Sequence, residues 1–200
     1  MRSRLVMLAA VAIAAAAVAF AITRVASSSA SRPAVARASL PSGLASYLGV
    51  YKTGPPRSYQ PVATFAKAAA KQPNLVGYYS GWGEGFATSF ADTVHRHGAV
   101  TILQMDPTDA SVPAIAAGKY DDYLRSYADT VRNFGYPVVI GFGHEMNATW
   151  YTWGYGHVRP SVFVAAWRHI VTLFRGQGAD NVTWLWTINA DLPSTGPTAS

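Results

Sequence analysis

The sequence contains no cysteine and little charge. Without cysteine, the chain has no disulfide framework, no thiolate metal site and no cysteine nucleophile. Charged residues make up 13% of the chain and hydrophobic residues 50%, which favours a folded globular protein and excludes disorder for most of its length. Glutamate occurs only twice, at Glu84 and Glu145. Chemistry that needs a glutamate side chain from this sequence must therefore use one of these two positions.

The excess of positive charge is confined to the N-terminal region. The chain has 16 basic and 10 acidic residues, but its first 40 residues hold five arginines and no acid, which leaves 11 basic and 10 acidic residues after position 40. These are scattered and form no basic stripe. The sequence therefore does not predict a nucleic-acid-binding protein.

The N-terminus resembles an export signal. A basic start is followed by 18 uncharged, apolar residues at positions 5–22, which predicts either a cleaved signal peptide or an uncleaved membrane anchor. Small residues at alternate positions suit cleavage at Ala19-Phe20-Ala21 or at Ala34-Val35-Ala36. Residues 23–42 are rich in Ser, Ala, Arg and Pro and are expected to form a flexible linker. We expect a secreted protein, with an anchored form that faces outwards as the alternative.

Beyond the linker, short apolar runs alternate with amphipathic stretches, a pattern that predicts parallel α/β structure. Five runs are predicted as strands, at residues 47–51, 75–82, 99–105, 137–146 and 182–189. Four helices are predicted between them. The clearest covers 120–134 and should end at Gly135, and the next begins at Pro160. The spacing suits an open doubly wound sheet or a (β/α)8 barrel, and no glycine-rich phosphate-binding loop favours the nucleotide-binding version.

Polar and aromatic residues collect where the predicted strands end, as they do at the active-site face of a barrel. They are Trp82, Glu84, Gln104, Asp106, the segment 144–147, Asn189 and Asp191. The stretch GFGHEMNATWYTWG, residues 141–154, places Glu145 at this face among hydrogen-bonding groups and flat aromatic rings. Such a mixture suits sugars, which combine hydroxyl edges with apolar faces. An apolar surround also favours the protonated form of a carboxylic acid, which glycoside hydrolysis requires.

The sequence H-E-M-N followed by W-Y-x-W-G resembles the fourth-strand signature of glycoside hydrolase family 26, whose members are retaining, endo-acting enzymes, mostly β-mannanases with some β-glucanases and β-xylanases. The resemblance implies that residues 43–200 form part of a catalytic (β/α)8 barrel, present through about its fifth strand. It implies that Glu145 is the general acid/base. It also implies substrate contacts by His144, Asn147, Trp150 and Trp153, to which the strand-end positions add Trp82 and Asp106.

Two departures from the family pattern stand out. Ala148 occupies a position where the family usually has glycine. The family's nucleophilic glutamate lies on the seventh strand, which this sequence is not expected to reach. Glu84, Asp106 and Asp191 are weaker candidates for that role, because a retaining pair of carboxyl groups must lie about 5–5.5 Å apart.

The resemblance implies a monomer that acts on β-mannan or a related β-glycan with no cofactor and no metal. The alternative is a carbohydrate-binding relic that keeps the aromatic cleft but has lost hydrolysis. A glutamate at the end of a seventh strand would separate the two interpretations.

The N-terminal interpretation leads to a first prediction. We expect the mature protein to begin between Ala21 and Arg37, because both small-residue cleavage sequences lie at or within these limits. Mass spectrometry of protein isolated from the medium and from the membrane fraction measures this directly. Recovery of chains from the membrane with residues 5–22 still attached would instead identify an anchor.

Overall fold

The computed structural model describes residues 47–190. The predicted signal peptide or anchor at 1–22, the predicted linker at 23–42 and Asp191 lie outside the described residues. What the sequence indicates for them stays a prediction. In the described part, no helix has the length and apolar character needed to cross a bilayer.

Five parallel strands form one sheet in sequential order. They are β1 (Gly49–Tyr51), β2 (Leu75–Gly81), β3 (Val100–Asp106), β4 (Val138–Phe142) and β5 (Val182–Leu185). A doubly wound sheet reverses its strand order at a switch point, whereas successive βα units of a barrel do not. The sequential order confirms the predicted α/β class and corresponds to the first five strands of a (β/α)8 barrel.

The connections between the strands contain five helices. They are α1 (Gln60–Ala69), α2 (Thr88–Arg96), α3 (Val112–Ala116), α4 (Asp121–Phe134) and α5 (Pro160–Gly176). Sequence analysis predicts four, and α3 is the additional one. Its five residues make little more than one turn, which is too short to show a helical period.

The two helices predicted in most detail form as expected. Helix α4 buries Leu124, Tyr127, Ala128 and Val131 and ends at Gly135, whose φ of 79° is the left-handed conformation that glycine adopts at helix ends. Helix α5 begins at Pro160, where the missing N–H costs no intrahelical bond. The buried residues of both helices belong to one hydrophobic core that also contains residues of the strands.

Strands β4 and β5 are shorter than predicted. The apolar pattern predicts β4 as far as 146, but the strand ends at Phe142, and β5 ends at Leu185 rather than 189. Gly143 and Glu145 both have positive φ values, 56° and 52°, which are incompatible with a continuing strand. His144 and Glu145 therefore lie on a sharp turn that leaves the sheet.

Alternation along β2 assigns its side chains to two faces. Val76, Tyr78 and Ser80 are buried, and the Tyr78 ring meets the edge of Phe90 of α2 with centroids 5.8 Å apart. Tyr79 points to the opposite face and is 45% exposed. This opposite face continues to the carboxyl edge of the sheet, where the polar residues collect.

Tyrosine burial predicts that the fold loses stability in alkaline solution. Burial raises the pKa of Tyr78 from its ordinary 10.0 to about 12. Above pH 10 the unfolded chain releases this proton while the folded chain retains it, so stability is full below pH 10 and is lost as pH rises towards 12. One such residue contributes a slope of about 1.4 kcal/mol per pH unit.

Urea unfolding at pH 8, 9.5, 10.5 and 11.5 measures this slope. Tyr78→Phe should flatten the pH dependence relative to the parent protein, because the substitution removes the group whose pKa burial raises. Identical slopes for Tyr78→Phe and the parent protein would contradict the assignment.

Candidate active site

The carboxyl edge of the sheet brings together residues from three neighbouring strands. Asp106 is the last residue of β3, His144 and Glu145 follow β4, and Thr187 and Asn189 follow β5. Parallel strands end at the same edge, so polar residues at their ends meet although they lie up to 83 positions apart along the chain. The strand-end residues of β3, β4 and β5 therefore meet at this edge, whereas Trp82 and Glu84 after β2 have contacts of their own.

His144 is held at both ring nitrogens. Its Nδ1 lies 2.8 Å from Oδ1 of Asp106, and its Nε2 lies 2.8 Å from the hydroxyl of Tyr151. The backbone N–H of His144 also donates to Asp106 Oδ1, at 3.4 Å. His144 and Asp106 are buried, at 8% and 6% exposure. Because both ring nitrogens have partners and the ring itself is shielded from bulk water, the imidazole of His144 is held in one orientation.

Aromatic rings support the His144 turn. The indole N–H of Trp153 donates to the backbone oxygen of His144 at 3.0 Å, and the Trp153 ring stacks on Tyr151 with centroids 4.4 Å apart. Trp153 is only 5% exposed, so it lies behind the turn and offers little surface to a ligand. Trp150 is 56% exposed and supplies the open ring of this segment. The predicted substrate contacts of these two residues remain predictions, and burial assigns Trp153 a supporting position.

Glu145 has a left-handed backbone conformation. Its φ of 52° is uncommon for a residue other than glycine and costs on the order of 1–3 kcal/mol. The backbone N–H of Glu145 donates to the carbonyl of Thr187 at 3.0 Å, and its own carbonyl accepts from Ala148 N–H at 2.8 Å. These bonds hold the residue in place. Its side chain is half-buried, less than the apolar sequence around it predicts, and its carboxylate makes no hydrogen bond or ion pair within residues 47–190.

Side-chain amides connect the turn to the neighbouring strands. Asn147 donates to the carbonyl of Asn189 at 2.8 Å and accepts from the N–H of the same residue at 2.9 Å. Gln104 donates to the hydroxyl of Thr187 at 2.8 Å. The Gln104 side chain crosses directly over Gly141, where a Cβ atom would collide with it. Glycine is therefore needed at position 141 for this link between β3 and the segment after β5.

The substitution of alanine for the family's glycine at position 148 is compatible with the structure. Ala148 is fully buried, and it is not among the described non-glycine residues with positive φ, which are Ala70 and Glu145. No backbone requirement for glycine arises at this position.

The remaining predicted residues have structural partners. Trp82 is half-buried and packs against Tyr120, Tyr123 and Phe142, with centroids 5.1–6.2 Å apart. Glu84 is exposed, and its Oε2 accepts the N–H of Gly81 at 2.9 Å, which closes its own loop. Both described candidates for the nucleophile therefore have other partners, because Asp106 is bound to His144 and Glu84 caps a turn.

Tyr79 also lies at the site, and no pattern in the sequence predicts it there. Its ring meets His144 edge-on at 4.8 Å. Burial, and after it the negative charge of Asp106, raises the pKa of Tyr79, and burial likewise raises that of Tyr151. Both phenols therefore stay protonated as hydrogen-bond donors at neutral pH. Tyr79 lies two residues before the end of β2, on the face opposite the core. That position is the sequence signal that could have identified it.

Metal-binding clusters of three or more His, Cys, Asp or Glu residues are absent from the part of the chain that the structure describes. His95 of α2 and His97, which follows the end of that helix, stack on different tyrosines, Tyr136 and Tyr59 respectively. They do not converge on one point.

Known proteins are similar to this chain in sequence and in architecture. Endoglucanase H of Acetivibrio thermocellus is 28% identical over 136 residues, which cover 65% of this chain and 15% of that protein. The structure of GH26A from Muricauda sp. MAR_2010_75 is similar with a TM-score of 0.56 and 19% identity, covering 74% of this chain and 60% of that one. The Bacillus subtilis mannanase man26 is similar with a TM-score of 0.55 and 13% identity, covering 72% and 57%.

These similarities extend over only part of each relative. The chain spans less than a sixth of the length of Endoglucanase H and a little over half of each of the two structures. At these identities the two structures establish the fold. The sequence model described as Glycosyl hydrolase family 26 matches residues 95–197, which include the His144–Glu145 turn and slightly more than half of the chain. The chain therefore belongs to glycosyl hydrolase family 26.

Proposed function

We propose that this protein is a retaining, endo-acting hydrolase of β-linked polysaccharide in which Glu145 is the general acid/base. The observation that carries the proposal is the contrast between two adjacent residues. His144 is engaged at both ring nitrogens, whereas the Glu145 carboxylate has no partner of its own in the described chain and lies half-buried at the carboxyl edge of the sheet. A carboxyl group held there by its backbone is available to a ligand.

The proposed reaction has two steps. In the first, Glu145 donates its proton to the glycosidic oxygen while that oxygen leaves the anomeric carbon, and a carboxylate nucleophile bonds to the same carbon. In the second, Glu145 takes a proton from water, which attacks the anomeric carbon and releases the nucleophile. Because Asp106 and Glu84 are engaged elsewhere, we assign the nucleophile to a residue outside the described part of the chain.

We infer that the buried pair of Asp106 and His144 determines which groups at the cleft donate hydrogen bonds and which accept them. A carboxylate oxygen accepts the Nδ1–H of a neutral imidazole, which leaves Nε2 as the acceptor for the Tyr151 hydroxyl. The Tyr151 proton then points at His144, so a ligand can meet this hydroxyl only as an acceptor. We infer that Tyr151 accepts a hydrogen bond from a sugar hydroxyl close to Glu145.

The proposed substrate is β-1,4-mannan, with β-1,4-glucan as the alternative. The similar Bacillus subtilis structure is that of a mannanase, and the Acetivibrio thermocellus relative is an endoglucanase. Trp150, with more than half of its surface exposed, is the proposed stacking surface for a sugar ring. We also propose that residues 5–22 direct export of the protein or anchor it facing outwards.

The acid/base assignment predicts the behaviour of Glu145→Gln in the natural gene product. The amide keeps the shape of the side chain but has no proton to transfer, so turnover on mannan should fall by about 10²- to 10⁴-fold. The loss should be much smaller on aryl glycosides, whose activated leaving groups need no acid. Steady-state kinetics on both substrate types, beside oligosaccharide binding that should be unchanged, measure this.

Asp180→Asn is the matched control, because it removes an exposed carboxylate remote from the turn. Equal loss on both substrate types in Glu145→Gln would overturn the assignment. Sugar binding by the parent protein without turnover on mannan, glucan or xylan would favour the carbohydrate-binding alternative.

The hydrogen bond between His144 Nδ1 and Asp106 predicts the tautomer of His144. Long-range ¹H–¹⁵N correlation spectra, recorded where the ring is neutral, should show the proton on Nδ1 and a bare Nε2. Tyr151→Phe should leave this tautomer unchanged, because Asp106 fixes it, but should weaken oligosaccharide binding by about 5- to 10-fold through loss of one hydrogen bond. A proton found on Nε2 in the parent protein would refute the proposed orientation of the Tyr151 hydroxyl.

A further inference from the structure

The edge of the sheet opposite the candidate active site is built from the segments that precede the strands. Parallel strands begin at a common edge, so these segments meet there. Asn74 accepts the N–H of Leu48 at its side-chain oxygen, at 2.8 Å, and the N–H of Val100 at its carbonyl, at 2.9 Å. The N–H of Val138 donates to the carbonyl of Asn181 at 3.0 Å. Together with the last helical turns before them, these segments form a surface that we call the amino edge, residues 47–48, 67–74, 95–99, 132–137 and 175–181.

Positive side chains collect at the amino edge, and all of its lysines and arginines are exposed. The C-terminus of a helix carries a partial negative charge of about half an elementary charge, so one lysine or arginine at each helix end leaves an excess of positive charge. These residues are scattered along the sequence and are brought to one surface by the fold. They are Lys67, Lys71, Arg96, Arg132 and Arg175.

Few acidic residues offset this charge. Asp180 is the only carboxylate among the described residues of the amino edge, and Asp129, one turn above it on α4, is paired with Arg132 at 2.9 Å. The segments that follow the strands, with the first helical turns after them, mix both signs instead. They carry Glu84, Asp106, Asp109, Asp121, Asp122 and Glu145 beside Lys52, Arg57, Lys119, Arg125 and Arg159. The excess of positive charge in the described part of the chain therefore lies at the amino edge.

Exposed tyrosines accompany the basic residues. Tyr47, directly before β1, and Tyr136, directly before Pro137 and β4, are 43% and 44% exposed. The His95 ring stacks on Tyr136 with centroids 3.6 Å apart, which holds that tyrosine at the surface. A tyrosine has an apolar ring and a polar tip, a combination that suits the boundary between lipid and water. Tyrosine beside lysine and arginine is therefore the chemistry of a surface that contacts a bilayer.

A cavity of about 250 Å³ opens at the amino edge between α1 and the end of α2. Lys67, Lys71 and His97 line it, and the His97 ring is held by stacking on Tyr59 with centroids 4.3 Å apart. Among the described residues, no acidic side chain contributes to its lining. Two ammonium groups around a small cavity suit a phosphate group, whose oxygens accept charge-assisted hydrogen bonds.

We propose that the amino edge docks on an anionic phospholipid bilayer, where its lysines and arginines bind lipid phosphates. Each lysine or arginine near an anionic bilayer contributes roughly fivefold in affinity. A bilayer is favoured over a soluble polyanion because the chain joins this edge, at Tyr47, to a region whose residues 5–22 are predicted to direct it to or across a membrane. The Glu145 turn, at the opposite edge of the sheet, then faces away from the lipid and is open to polysaccharide.

Acylation of lysines in the natural gene product tests this proposal, because the fold divides the lysines of this sequence between the two edges. Lys67 and Lys71 lie at the amino edge, whereas Lys52 and Lys119, which are also exposed, lie at the carboxyl edge. The protein is mixed with vesicles of phosphatidylcholine alone or of equal parts phosphatidylcholine and phosphatidylglycerol. A water-soluble acylating reagent is added, and mass spectrometry measures the rate at each lysine. No hydrolysis is measured, so the result is independent of the proposed function.

We expect the anionic vesicles to slow acylation of Lys67 and Lys71 by about tenfold relative to the neutral vesicles, because lipid headgroups cover and bind both ammonium groups. The rates at Lys52 and Lys119 should be the same with both kinds of vesicle. In 1 M salt, where the Debye length is about 3 Å, the protection should disappear.

Arginine variants separate the charge of the amino edge from its lysines. Arg96→Gln combined with Arg175→Gln should remove most of the protection of Lys67 and Lys71, because two charges correspond to about 30-fold in affinity. The matched control, Arg57→Gln combined with Arg159→Gln, removes the same charge from exposed positions at the carboxyl edge and should leave the protection unchanged. Equal melting temperatures establish that both variants are folded.

Equal acylation rates with neutral and anionic vesicles would overturn the proposal. Equal protection of all four lysines would also overturn it, since this result means adsorption without a preferred face. Protection of Lys67 and Lys71 by dextran sulfate, added in place of vesicles, together with no protection by the anionic vesicles, would assign the amino edge to a soluble polyanion and refute docking on lipid.

Discussion

The candidate site depends on one strained residue, Glu145, which has a left-handed backbone conformation. It directly follows His144, whose ring is held by hydrogen bonds at both nitrogens. The conformation costs on the order of 1–3 kcal/mol and is incompatible with a continuation of β4. Hydrogen bonds on both sides offset this cost. His144 is fixed by Asp106 and Tyr151, and the N–H of Glu145 is fixed by Thr187. Loss of any of these contacts would release a turn that has no regular secondary structure to restore it.

The sheet provides these contacts through the ends of three adjacent strands. Asp106 comes from β3, the turn itself from β4, and Thr187 from the segment after β5. Gln104 crosses Gly141 to reach Thr187, and so connects all three at one level of the barrel. The parallel register therefore positions the acid/base candidate, because a shift of one residue between β3 and β4 would turn Asp106 to the opposite face. Structural and proposed catalytic roles of this edge are consequently inseparable.

Local pattern predicted most of the architecture. The five strands follow from continuous apolar runs, and α4 and α5 follow from periodicity with Gly135 and Pro160 at their boundaries. The apolar pattern did not predict where a strand ends when the backbone changes conformation within an apolar run. The run at 137–146 reads as one strand because its side chains are suitable throughout, yet positive φ values end β4 at Phe142. Helix α3 was not predicted from the sequence, because a helix of about one turn is too short to show a helical period of apolar residues.

The sequence by itself determined the family signature around Glu145, the α/β alternation and the strand ends at which polar residues lie, since each depends on neighbours along the chain. Tertiary structure decided what each side chain contacts. It placed Trp153 behind His144 and left Trp150 exposed, although the two tryptophans look equivalent in the sequence. It also paired Asp106 with His144 and brought Tyr79 to the cleft. Partners 38 residues apart meet only because parallel strands end at a common edge, and no local pattern records that distance.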